Sequence, residues 1–242
     1  MPLAGDFYFG ALFMNKLART FLVIGLLASL NSFTVAVANG QPIVQEVLKR
    51  MEDHYNALTS LKASVKMDKF NSQLGEHDIS EGSLIFVTQK GRDAAFRIDW
   101  AKAADGSIAV VNKQYVMYRP SLGTAYTGSV TGVGGGGKGA PLAFLNMSKA
   151  ELKANYDISY AGTESVSGGA QTWHLVLTPK TKVSYKSADI WVDKDGMPVQ
   201  MKQTENNNDT TTILLSNLNK NTKINPKEIQ ITPAKGTKIV KS

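Results

Sequence analysis

The sequence predicts an α+β fold, mainly antiparallel β: an unclosed half barrel of about 10–11 strands with short helices forming a lid over its concave hydrophobic face. Three observations lead there. Apolar and polar residues alternate with period two in many short segments. The joints between those segments are short and made of Gly, Asn, Asp or Pro, leaving no room for parallel crossovers. Two other stretches carry apolar residues at helical spacing instead. A flat sheet so wide would expose a long hydrophobic face, so it must curl, and a single sheet has no second sheet to fill its concave side.

The first residues read as a targeting signal. Lys16 and Arg19 precede an apolar run from Phe21 to Leu30, and Ala36-Val37-Ala38 follows. That is the secretory pattern, with cleavage expected after Ala38, and the run is shorter than the roughly 20 residues of a spanning helix. Met14 is the expected start. Residues 1–13 read either as an upstream start-site extension or as an unusually long n-region. Residues 1–38 are thus assigned to the signal peptide with this extension and residues 39–242 to a single domain, placed in the periplasm and expected to be monomeric. The chain has no cysteine, which excludes disulfides, thiolate metal sites and a lipid-modified N-terminus together.

From Pro42, the residues Val44, Leu48, Met51, Tyr55 and Leu58 fall on one helical face, and proline suits the first turn, where its missing N–H costs nothing. The period then becomes two, with Leu61, Ala63, Val65 and Met67 alternating with Lys62, Ser64, Lys66 and Asp68. Strands are expected at 84–88, 94–100, 108–111, 115–118 and 124–128. Gly132 to Gly139 holds six glycines in eight residues, too costly in backbone entropy for regular structure. Pro141 to Leu145 and the capping box Ser148-x-x-Glu151 then announce a short helix toward Asn155. Strands resume at 156–160, 172–178, 188–192, 199–205 and 210–218, with Asp195-Gly196 and Asn206 to Asp209 as hairpin turns. The tail from Asn225 to Val240 offers a Pro-started helical turn and one or two strand pieces.

The net charge of +7 raises the question of nucleic acid. Lys62, Lys66, Lys182, Lys186 and Lys202 occupy alternating strand positions, however, and read as solvated faces, so no nucleic-acid partner is expected. The stretch Gly132 to Gly139 matches a phosphate-binding loop until its last position, where Gly139 replaces the Ser or Thr that holds magnesium. Asp193-Lys194-Asp195-Gly196 begins like a calcium loop but lacks a third acidic ligand and a closing glutamate. His54, His77 and His174 are isolated, with no H-E-x-x-H or G-x-S-x-G around them. His174, between Trp173 and Leu175, is expected to point away from both, into solvent. No catalytic residue, metal site or cofactor is therefore assigned, and the chain is read as no enzyme. The aromatics Phe86, Phe96, Trp100, Tyr118, Trp173 and Trp191 read either as core or as the wall of a cavity.

The order of motifs resembles the outer-membrane lipoprotein carrier (LolA-like) family over nearly the whole mature chain. The resemblance rests on Leu58-Thr59-Ser60-Leu61-Lys62-Ala63, Glu81-Gly82, Arg92-x-x-x-Phe96, Tyr118-x-Pro120, Pro141-Leu142 and Leu175-x-Leu177-Thr178-Pro179-Lys180. It continues through Ile190-Trp191-Val192-Asp193-x-Asp195-Gly196 and Pro233-x-x-Gly236. It implies a periplasmic carrier of acyl chains, working between an inner-membrane lipoprotein-release transporter and an outer-membrane acceptor, with acylated lipoproteins or other lipids as cargo. By the same resemblance Arg92 is the latch of the lid, although Asp93 stands where the family often has proline, and a plain hairpin role is the other reading. Phe86, Phe96, Ile98 and Trp100 are expected to form the acyl-contacting wall, and Leu142, Phe144 and Leu145 the lid. The phase of the wall depends on the absence of a bulge. A lipid- or lipoprotein-sensing module of the same fold is the first alternative, disfavoured because such regulators usually carry an added domain. A secreted hydrolase is the remote one, since no spacing brings a nucleophile and a base together.

Overall fold

The helical spacing after Gly40 is realised as α1, Gln41–Ala57, with proline in its first turn and Val44, Val47, Leu48 and Met51 buried along one side. The structure, a computed structural model, describes residues 40–89, 94–102, 106–130, 140–166 and 169–241. Ala38–Ser242 forms one compact unit. The signal segment, Arg92 and the stretch Gly132 to Gly139 lie outside the described residues.

Among the described residues twelve strands follow α1: β1 Ser60–Asn71, β2 Glu76–Thr88, β3 Ala94–Lys102, β4 Gly106–Val111, β5 Gln114–Arg119 and β6 Thr124–Ser129 before the lid segment, then β7 Tyr156–Ser165, β8 Gln171–Pro179, β9 Tyr185–Asp193, β10 Pro198–Glu205, β11 Thr210–Lys220 and β12 Lys238–Lys241. They make one sheet in the order β12-β6-β5-β4-β3-β2-β1-β11-β10-β9-β8-β7, whose ends do not pair with each other. All neighbours are antiparallel except β12, which runs parallel to β6. Two meanders are thus joined through β1 and β11. The twelfth strand is β12, one of the strand pieces expected in the tail, and β1 and β2 run longer than expected, as a hairpin past Met67, where both faces turn polar and the period-two signal fades.

The turns follow their residue chemistry. Gly196 at φ +83° closes the β9–β10 hairpin, and Asp193 Oδ1 accepts the backbone N–H groups of Asp195 and Met197 at 2.9 and 2.8 Å. This turn presses on α1: a Cβ at Gly196 would lie 2.2 Å from the Arg50 carbonyl oxygen, and the Arg50 guanidinium donates to the Lys194 carbonyl at 3.1 Å. Asn208 takes the positive φ of the β10–β11 turn.

The 3₁₀ segment Ala140–Asn146 leads into α2, Lys149–Asn155, through the expected capping box, in which Ser148 and Glu151 satisfy each other's backbone N–H groups. α1 packs on β7 and α2, and the 3₁₀ segment packs on β10 and β11. On the opposite face of the sheet the tail forms α3, Pro226–Ile229. It is held there by Lys62 Nζ on Glu228 at 2.7 Å and by Arg97 Nη1 on the Gln230 carbonyl at 2.8 Å.

Candidate functional site

The concave face is built from cross-strand rows. Phe86 pairs with Phe96, and Leu84 with Ile98; Phe96 pairs in turn with Val110, and Ile98 with Ile108. Since paired residues share a face and alternate along each strand, Phe86, Phe96, Ile98 and Trp100 all point to one side. The sheet does contain a register shift here, between Glu81 and Gly82. It falls beyond Trp100, opposite Gly82, so the phase of Phe96, Ile98 and Trp100 survives.

All seven apolar residues assigned to wall and lid meet in a single hydrophobic cluster. Phe86, Ile98, Leu142, Phe144 and Leu145 are among its buried members, and Phe96 and Trp100 pack against it half-buried. Leu142, Phe144, Leu145 and the neighbouring Met147 are only 4–6% exposed. The expected hollow is therefore, over β10 and β11, filled by the lid's own side chains. An empty apolar space forfeits dispersion contacts on every wall, and the lid supplies them.

Cover is uneven. Leu61, Leu175, Leu177, Ile190 and Met201 are fully buried, whereas Phe96, Trp100, Tyr115, Met117 and Tyr126 on β3, β5 and β6 are half-buried. The helices pack on β7, β10 and β11, away from that second group. The result is an apolar trough with a closed end and a partly open side.

Polar contacts tie the covering segments together. Glu52 of α1 accepts the Lys149 backbone N–H at 2.7 Å, and Lys153 donates to Gln45 at 2.7 Å, so α1 and α2 are tied together. The Phe144 ring lies 6.0 Å from that of Tyr156. Tyr156 and Tyr185, both buried, share a hydroxyl–hydroxyl hydrogen bond of 2.6 Å. Burial, and then the bond to Tyr156, push the Tyr185 phenol far above its ordinary range. This tether was invisible in the sequence, because its two tyrosines lie on strands that are not neighbours in the chain pattern.

His174 corrects an expectation. It does point away from Trp173 and Leu175, but not into solvent: its side chain is 17% exposed, with Nδ1 2.7 Å from Glu164 and Nε2 2.8 Å from Asp189. It stacks on Trp191 with ring centroids 4.3 Å apart, and Trp191 Nε1 donates to Glu164 at 2.7 Å. Both ring nitrogens donate only when the imidazole carries two protons. This outer-face group fastens β7, β8 and β9 together. His77 bonds Asp68 at 2.8 Å, and His54 sits in the last turn of α1. Among the described residues no group of three or more His, Cys, Asp or Glu is placed to hold a metal ion. A cleft lined by Lys69, Glu76, His77, Asp78, Glu205 and Asp209 lies at the hairpin ends, and its charges make it unfit for hydrocarbon. No described helix is long and apolar enough to cross a membrane.

A family model described as outer membrane lipoprotein carrier protein LolA matches residues 59–232. No curated protein matches the chain in sequence. Among solved structures, an uncharacterized conserved protein from Thermus thermophilus is similar with a TM-score of 0.53 and 13% identity, over 83% of this chain and 99% of that one. MucB is similar with a TM-score of 0.52 and 15% identity, over 83% of this chain and 66% of its own. The MucA/MucB complex of Pseudomonas aeruginosa follows with a TM-score of 0.48 and 14% identity, over 78% of this chain and 61% of that one. At these identities the structural likeness is one of fold.

Proposed function

This chain belongs to the outer membrane lipoprotein carrier protein LolA family, and from that premise we propose that it is a periplasmic carrier that takes acyl chains of lipoproteins into its concave face and moves them from the inner to the outer membrane. One observation carries the reading: lid and wall form a continuous apolar cluster whose β3, β5 and β6 side is left half-open. An acyl chain entering from that side extends under the lid by replacing lid side chains with methylenes of like polarity. Each buried methylene is worth roughly 0.8 kcal/mol, so a whole chain on an empty wall would be held too tightly to be passed on. Unseating Leu142, Phe144 and Leu145 sets a cost against that gain, and their return drives release.

In this reading the donor is an inner-membrane lipoprotein-release transporter and the receiver an outer-membrane acceptor. Residues 1–38 are the export signal, the carrier acts as a monomer, and no covalent step is involved. Arg92 is the lid latch; Arg92→Leu leaves folding intact and changes cargo transfer, and unchanged transfer rejects the latch. A sensing module of the same fold is the second reading. Native mass spectrometry of protein purified from its own periplasm separates the cases. A bound acylated lipid or lipoprotein, and an N-terminus at Asn39, are expected; a population carrying only peptide or nothing contradicts carriage.

A further inference from the structure

The charge of this protein is not spread as its strand pattern suggests. Residues 220–242 hold six lysines and one glutamate, a net +5 in a chain whose total is +7. The fold gathers much of this at one corner. The Lys238 backbone N–H donates to the Gly123 carbonyl at 2.8 Å, and β12 continues from there along β6, with Lys238 beside Thr124 and Lys241 beside Thr127. Thr124 also pairs with Arg119, so Arg119 and Lys238 flank one residue. Arg119, Lys235, Lys238 and Lys241 are all exposed, and none of them forms an ion pair among the described residues.

Two large aliphatic side chains stand within this group. Leu122 is 58% exposed in the 3₁₀ turn Pro120–Leu122, immediately before the Gly123 carbonyl that receives Lys238. Ile239 is 53% exposed on β12. Cations gathered without counter-charges repel one another, and solvent-exposed leucine and isoleucine gain nothing from water. Neither set belongs to the hydrophobic core.

We propose that this corner docks the protein on the anionic surface of a phospholipid bilayer. Lys235, Lys238, Lys241 and Arg119 meet headgroup phosphates while Leu122 and Ile239 enter the interface. Basic residues next to an anionic leaflet and aliphatics at acyl depth are the two signals that together give stable but reversible attachment. An acidic protein is the less suitable partner, because lysine is depleted from protein–protein interfaces and the two aliphatics stand apart rather than forming a contiguous core. By register, Arg119 and Lys238 lie on the side of Met117 and Tyr126, at the rim of the concave face, and Ile239 and Lys241 on the other side, so the docking surface is the β12 edge of the sheet, and vesicle attachment there is read separately from acyl retention.

The test is co-sedimentation of the full exported chain with vesicles of phosphatidylcholine alone or of phosphatidylcholine and phosphatidylglycerol in equal parts. Wild type pellets with the anionic vesicles and not with the neutral ones, and added salt releases it. Combined Lys235→Glu, Lys238→Glu and Lys241→Glu weakens binding by on the order of 100-fold or more. Leu122→Ser with Ile239→Ser weakens it by on the order of tenfold. Lys66→Glu with Lys182→Glu and Lys186→Glu, at exposed positions elsewhere, stays close to wild type. Lys235→Glu alone, outside any strand, weakens binding by roughly fivefold without disturbing β12. The proposal is overturned by wild type failing to pellet with anionic vesicles, even if the corner then captures an acidic protein, or by equal losses in the two triple variants. Because the readout is vesicle attachment, failure here leaves lipid retention in native mass spectra untouched.

Discussion

The two halves of the concave face share one hydrophobic pattern and have different fates. Beneath α1 and the 3₁₀ segment, Leu175, Leu177, Ile190 and Met201 are sealed from water, while Phe96, Trp100 and Met117 toward the other edge keep part of their surface wet. Alternation along a strand decides which side chains face inward; it does not decide what will cover them. In the sealed half burial is spent on stability, and in the half-open one the same residue types are left available for a ligand.

Mutations at matched depth along the two halves break or sharpen that contrast. Leu177→Ala in the sealed half is expected to cost about 3–5 kcal/mol of unfolding free energy through lost contacts and a residual cavity, measured by denaturant titration. Tyr185→Phe leaves the buried Tyr156 hydroxyl without its partner and is expected to cost about 1–2 kcal/mol, with Tyr156→Phe and the double variant closing a cycle around the tether. Met117→Ala, in the half-open side, should lower stability by about 1 kcal/mol while weakening retention of an acylated peptide. A stability loss at Met117 equal to that at Leu177 would erase the distinction between the halves.

The smallest effect is on pH dependence. Burial, with Lys220 next in weight, holds His54 below its ordinary value of 6.5, against the opposing pull of Asp193 and Asp195. Its Nε2 is buried without a hydrogen-bond partner among the described residues. A lowered imidazole favours the neutral form in the folded protein, so its contribution is intact above pH 6.5. It shrinks as pH falls from there toward the folded value, because the unfolded chain takes up the proton first. Melting temperatures of His54→Gln should fall less than those of wild type across that window.

Local patterns made much of this architecture readable. The α1 stripe, the Ser148–Glu151 capping box, the turns at Gly196 and Asn208, and the common face of Phe96, Ile98 and Trp100 each depend on residues a few positions apart, which is the range over which periodicity and turn chemistry act. What escaped depends on distant partners. His174 meets Glu164 and Asp189 across two strand pairings, and Arg97 and Lys62 hold a tail more than a hundred residues away. The parallel strand β12 is four residues long with mostly exposed side chains, so no alternation marks it. The lid was legible as an apolar helix-like stretch, but that it fills the space it covers follows only from packing.

The lid's displacement by hydrocarbon is the central claim, and thiol reactivity tests it most directly, because the chain has no cysteine of its own. Leu145→Cys should react slowly with a water-soluble maleimide in the closed protein and at least about tenfold faster when a dipalmitoylated peptide is bound, since a local opening worth about 1.4 kcal/mol changes exposure by that factor. Leu177→Cys, on the sealed wall, should stay protected in both conditions. If Leu145→Cys remains equally protected while native mass spectra show the peptide bound, the acyl chain enters without moving the lid and the account is wrong.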